Sequence, residues 1–178
     1  MRVLYRYFNH TADIKFRAYG PNINILFKNA LLAMFNTISD IKRIKQYIKY
    51  INMKDIGNEV SNNKEYSEDS GKNKKDKIKI KELYIKQTSD NYNELLWLIL
   101  QDALSNADAE ELFLYEVKSI SIKKNNKKYE GKVYVLGIKK DTDNLIKFSK
   151  FDVKGVSMLG MQIKSSNNGM YVDVILDV

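Results

Sequence analysis

His10, Thr11 and Asp13 put three polar side chains into four positions, immediately ahead of an alternating run. In that run Ile14, Phe16 and Ala18 share one face and Lys15 and Arg17 the other, the period of a half-buried strand. His10 is the only histidine of the chain. At the far end, "MYVDVILDV" sets Tyr171, Asp173, Ile175 and Asp177 on one strand face and Val172, Val174, Leu176 and Val178 on the other. An acidic residue at the tip of a strand that is otherwise buried either solvates a chain end or does chemistry there. There are no cysteines. That excludes thiol catalysis, disulfides, Fe–S clusters and cysteine-bound zinc, and a single histidine excludes multi-histidine sites. A metal in this chain would sit among oxygens, which makes calcium, magnesium or manganese the candidates.

The elements that would position these residues are readable in outline. Val3–Phe8 and Asp13–Ala18 read as strands. Gly20-Pro21 breaks the pattern, and Asn22 or Asn24 can cap a helix. Phe27, Leu31, Met34 and Ile38 then recur at helical spacing, up to "TISD" at Thr37–Asp40. Ile41–Lys54 is ambiguous between a basic helix and a strand with a lysine-rich face. From Gly57 to Lys77 only Val60 and Tyr66 are sizeable apolar residues, too few to offset the entropy of ordering. A mobile, low-complexity insertion is therefore expected at about 55–77. Lys77–Gln87 alternates as a strand, and Ser89–Asp108 carries an apolar stripe with a capping-box start at Asn91 and Glu94. Further strands are expected at Tyr115–Ile122, Tyr129–Ile138, Phe151–Ile163 and Met170–Leu176, with turns at "KKNNKK" and "SSNNG". Helices and strands do not alternate regularly. The order points to an α+β fold: one domain over residues 1–178, with a largely antiparallel or mixed sheet and two helices packed on it.

The 178 residues suffice for a core without metal or disulfide. No Walker A loop, GxGxxG, nucleophile elbow or internal repeat occurs. Met1 is followed at once by Arg2 and a strand-like run, and the longest apolar stretch lies near Leu95–Leu100. The expectation is a soluble intracellular protein without a signal peptide or membrane span, in cytoplasm or nucleus. Thirty lysines and arginines against 22 acidic residues give a net charge of +8. Such a charge favours polyanions or an acidic protein face. The lysines are widely spread among asparagines, which reads as biased composition more than as a patch.

"HTADI" with its alternation, followed by a helix running to "MFNTISD", resembles the archease family. "AEELFLYEVKSISI" after the second helix fits the family's middle section, and "DVKGVSMLGMQI" resembles its "VKAVTYH" strand. A chain ending in Asp-Val is the family's usual terminus. The resemblance spans Leu4 to Val178 apart from the insertion. It implies a partner of an RtcB-type RNA ligase, which joins RNA ends bearing a cyclic or terminal phosphate to a 5′-hydroxyl in tRNA splicing. The implied role is non-catalytic: helping the ligase form its histidine–guanylate intermediate and turn over repeatedly, with any tRNA contact indirect and no membrane involved. It also implies a divalent metal, calcium first, with magnesium or manganese as alternatives. The ligands carried over are Asp13, Asp177 and Val178, the last through its main-chain oxygens. Asp40 would be a further ligand or orienter, and His10 and Thr11 would support the ligands from behind; His10 alternatively caps or packs in the core. Lys154 is retained within the third motif, while Ser157 stands where threonine is usual and Met158 and Leu159 replace Tyr-His. Lys154 and Ser157 are the candidate ligase contacts.

Two readings from other classes remain. A metal-dependent phosphohydrolase or nuclease could use Asp13, Asp173 and Asp177, although alternation sets Asp173 about 13 Å along the strand from Asp177. A general RNA-binding or chaperone-like module is the other, without an RNP-like aromatic signature in the sequence.

Overall fold

The computed structural model describes residues 3–8, 13–61, 78–141 and 146–178. The elements in chain order are β1 (Tyr5–Phe8), β2 (Ile14–Gly20), α1 (Ile23–Ile38), α2 (Ile41–Ser61), β3 (Ile80–Ser89), α3 (Tyr92–Ala109), β4 (Leu112–Asn125), β5 (Lys128–Lys139), β6 (Gly155–Ser157), β7 (Lys164–Ser166) and β8 (Gly169–Asp177). The expected α+β class holds, and every strand pairing is antiparallel among the described residues. The strands divide between two sheets. One runs β1-β2-β8-β6, with β7 also on β8; the other runs β3-β5-β4.

Helices α1 and α3 join the two sheets. Helix α1 packs on β2 and β8 of the first sheet and on β4 of the second, and α3 packs on β3, β4 and β5 of the second and on β6 of the first. This explains why α1 is buried so fully: Leu26, Phe27, Ala30, Leu31, Ala33 and Met34 have no exposed surface. Both helices begin as the capping pattern requires. Asn22 Oδ1 accepts from the Ile25 N–H at 3.0 Å, and Asn91 Oδ1 accepts from the Glu94 N–H at 2.9 Å. Asn24, the other cap candidate, accepts the Ile122 N–H of β4 at 2.7 Å and so links α1 to the second sheet.

Three expectations change. Ile41–Lys54, left open between strand and helix, lies in α2, whose Ile41, Ile44, Tyr47 and Ile48 pack with Phe113, Tyr115, Ile138 and Phe148 on the second sheet's outer face. The expected insertion begins late, because α2 continues through Ser61, and its remainder from 62 to 77 lies outside the described residues. The strand expected over Phe151–Ile163 shrinks to Gly155–Ser157. A turn interrupts it at Met158–Met161, with Gly160 at φ +70° and the Met161 N–H donating to the Met158 carbonyl at 3.2 Å. Side chains of α3 take the backbone groups a neighbouring strand would have used. Trp97 Nε1–H donates to the Val156 carbonyl at 2.8 Å, and Gln101 Oε1 accepts the Val156 N–H at 2.9 Å. Among the described residues no helix is long and apolar enough to cross a membrane.

Candidate metal centre at the end of the central strand pair

Strands β2 and β8 are neighbours, with Ile14 opposite Leu176, Phe16 opposite Val174 and Ala18 opposite Val172. These residues form the buried face of the pair. Ile14 opposite Leu176 is the last pair of this register, and Asp13, in the bend before β2, and Asp177, the last residue of β8, are the next residue on each strand. Antiparallel partners stand about 4.5–5.5 Å apart at Cα, so the two carboxylates start from neighbouring positions on one surface. Sequence alone required β2 and β8 to lie side by side for this; the register supplies it.

On its other edge Asp177 pairs with Gly155 of β6, and its carbonyl accepts the Lys154 N–H at 2.8 Å. A β-carbon at Gly155 would lie 3.4 Å from Asp177 Oδ2, so the carboxylate rests against the bare Gly155 backbone. Val178 is half-buried and packs on the main core, which fixes the main-chain oxygens that follow Asp177.

The electrostatics separate three aspartates on the same outer face. Arg17 holds Asp173 in a forked pair, Nε to Oδ1 at 2.6 Å and Nη2 to Oδ2 at 2.9 Å, and Lys15 stands 3.7 Å from Oδ2. The hydrogen bonds from Arg17 lower the Asp173 pKa below its ordinary value. Phe8 and Tyr171 flank the Arg17 guanidinium, with ring centroids at 5.6 Å and 4.4 Å. The carboxylates of Asp13 and Asp177 have no hydrogen-bond or ion-pair partner among the described residues. Like charges directly opposite each other destabilise a strand pair. The donor set, two unpartnered carboxylates beside fixed main-chain oxygens, suits a hard divalent cation.

The other expected site residues fall as follows. Asp40 stands at the head of α2, where Oδ1 accepts the Arg43 N–H at 3.0 Å and its own N–H donates to the Phe148 carbonyl at 2.8 Å. Its carboxylate thus caps α2, and no set of three acidic or histidine side chains gathers among the described residues. His10 and Thr11 lie outside the described residues. The Lys154 side chain is exposed beside Asp177, and Ser157, opposite Ile175, is half-buried with its hydroxyl accepting the Leu159 N–H at 3.3 Å. Sequence reasoning missed Gly155 as the neighbour of Asp177 and Arg17 as the partner of Asp173. The alternation around Arg17 and Asp173 put both on outward faces, and only the strand register could have paired them.

An α+β domain of two antiparallel sheets, with Asp13 and Asp177 at the ends of its central strand pair, is the class the fold and site define. The sequence model of the Archease protein family (MTH1598/TM1083) matches residues 5–61 and 69–178, and the chain belongs to that family. Protein archease of Methanosarcina barkeri is 28% identical over 174 residues, 98% of this chain and 95% of that protein. Protein archease of Methanosarcina mazei is 55% identical over 40 residues, 22% of this chain and 27% of that one. The solution structure of Methanobacterium thermoautotrophicum protein 1598 shares the fold, with a TM-score of 0.67 at 21% identity over 98% of this chain and 99% of that one.

Proposed function

We propose that the chain is a non-catalytic activator of an RtcB-type RNA ligase in tRNA splicing. Asp13 and Asp177, with the main-chain oxygens of Val178, hold a divalent cation, calcium by preference, at a tip that meets the ligase's active site. The observation that supports this reading is the pairing of β2 with β8, which brings the strand ends that carry Asp13 and Asp177 together while Arg17 neutralises Asp173 nearby. A divalent cation there supplies the positive charge that nucleotide phosphates require. The chain's own residues do the positioning. Backbone pairing of Asp177 with Gly155 fixes the strand that carries its carboxylate, and packing of Val178 on the core fixes the chain beyond it. Lys154, just before β6, and Ser157, at its end, are the proposed contacts with the ligase.

The family assignment supports this reading, and the state of Asp173 disfavours hydrolysis, since Arg17 occupies both its oxygens. The test is multiple-turnover joining of a cyclic-phosphate RNA by the cognate ligase, with and without this protein. Turnover rises with the protein and does not rise with Asp177→Ala. An equal rise with Asp177→Ala removes the proposed tip, and no rise with either protein removes the partner.

A further inference from the structure

The inner face of the β3-β5-β4 sheet is core, and α2 covers its outer face only at the end where Phe113, Tyr115 and Ile138 lie. Beyond α2 the outer face is open among the described residues. Tyr84 of β3 and Tyr134 of β5 stand directly opposite each other there, with ring centroids 4.7 Å apart and planes tilted by 32°. They are 49% and 38% exposed, unusual for large aromatic side chains in the middle of a sheet. The next outward pair, about 7 Å along the strands, is Lys86 opposite Lys132. Two lysines facing each other disfavour the sheet, and Glu130 alone serves both, at 3.4 Å and 2.9 Å. On β4 the residues opposite Tyr134 and Lys132 are Ser119 and Ser121, and from the bulge beside Ser119 the Lys118 ammonium reaches over β5 to pair with Glu82 of β3. Past β4, α2 presents Lys45 and Lys49, exposed and beside a groove of about 400 Å³.

We propose that this outer face binds single-stranded nucleic acid, with Tyr84 and Tyr134 as the stacking platform and Lys86, Lys132, Lys45 and Lys49 meeting phosphates. The charge complementarity selects the occupant. An aromatic pair rimmed by lysines in excess of the glutamates they pair with, Lys45 with Glu116 and Lys118 with Glu82 among them, matches a π-faced base on a polyanionic backbone. A protein partner of ordinary kind would need a continuous apolar patch, and here charged residues surround the aromatic pair. The face is built from a different sheet than the Asp13–Asp177 tip, and the inference does not rest on the ligase reading.

The test is fluorescence anisotropy of a labelled oligouridylate of roughly 12 nucleotides with the full chain. Binding weakens roughly tenfold between about 50 mM and about 200 mM salt. A duplex of equal length competes much less well. Tyr84→Ala with Tyr134→Ala weakens binding about tenfold or more, whereas Tyr84→Phe with Tyr134→Phe keeps it within about twofold. Asp177→Ala, on the other sheet, binds as the parent does. Should the double alanine variant fail to fold, photocrosslinking of thiouridine-substituted RNA to the parent protein decides, with crosslinks expected within β3 and β5 around Tyr84 and Tyr134. Absence of binding at low salt, equal binding by a folded alanine variant, equal competition by duplex, or crosslinks confined elsewhere would each overturn the proposal.

Discussion

Asp13, Asp173 and Asp177 carry the same side chain and differ in what stands beside them. Arg17 and Lys15 surround Asp173, while Asp13 and Asp177 follow the last register pair of β2 and β8. The pairing of Asp173 makes a prediction for pH. Its folded pKa lies below the ordinary 3.8, chiefly through the Arg17 hydrogen bonds, so the folded state binds fewer protons than the unfolded chain in that range. Its contribution to stability is present above pH 3.8 and is lost as pH falls through the lowered folded value. Asp173→Asn therefore removes part of the acid-side loss of stability, measured as Tm from about pH 5 to about pH 2; an unchanged acid limb contradicts the pairing. The free couple predicts the opposite sign. Asp177→Asn relieves a like-charge pair, so the metal-free Tm stays or rises, while the rise produced by calcium in the parent protein disappears. Residues added after Val178 weaken calcium binding relative to the same residues added before Met1. Equal affinities would mean that the Val178 oxygens are not ligands.

At the scale of elements, β6 is three residues long and depends on α3 as much as on β8. Trp97→Phe removes the N–H that satisfies the Val156 carbonyl and costs about 1–2 kcal/mol in urea unfolding, with faster hydrogen exchange at the Lys154 N–H that pairs with Asp177. Unchanged exchange there would uncouple α3 from the tip. The β7–β8 turn has its own constraint. Gly169 has φ +126°, and a β-carbon there would come within 2.5 Å of the Gly20 carbonyl. Gly169→Ala is expected to lower stability by more than 1 kcal/mol in the same measurement, through strain and displacement of the chain at Gly20. The turn at "SSNNG" was legible, and β6 marks where the sequence stopped being so. The periodicity of α1 and α3 and their Asn caps were readable because they are local. The Phe151–Ile163 segment alternates like a strand, but its backbone partners are side chains of α3, some 60 residues away, which no local pattern announces.

Across the whole molecule, the α+β class and the antiparallel pairing followed from the order of elements, whereas the division into two sheets did not. Strand order is set by which faces α1 and α3 can bury together, and a sequence states only that each has an apolar face. Residue type singled out Asp13 and Asp177, and the pairing of β2 with β8 brings the ends of their strands together. The tyrosine pair was not legible at all, because Tyr84 and Tyr134 come from strands separated by α3 and β4. A sequence read for an RNP-like signature looks for neighbours in the chain, and here the neighbours are made by pairing. The net charge of +8 acquires a location in the same way: α2 carries Lys42, Arg43, Lys45 and Lys49 with no acidic residue among them.

The central claim is that Asp13 and Asp177 act as one divalent-cation site, and calorimetric titration of calcium into the metal-free protein tests it most directly. The parent protein should take up about one equivalent, and Asp13→Asn and Asp177→Asn should each lose that binding while keeping the parent's far-ultraviolet spectrum. Undiminished binding in either folded variant would contradict the account.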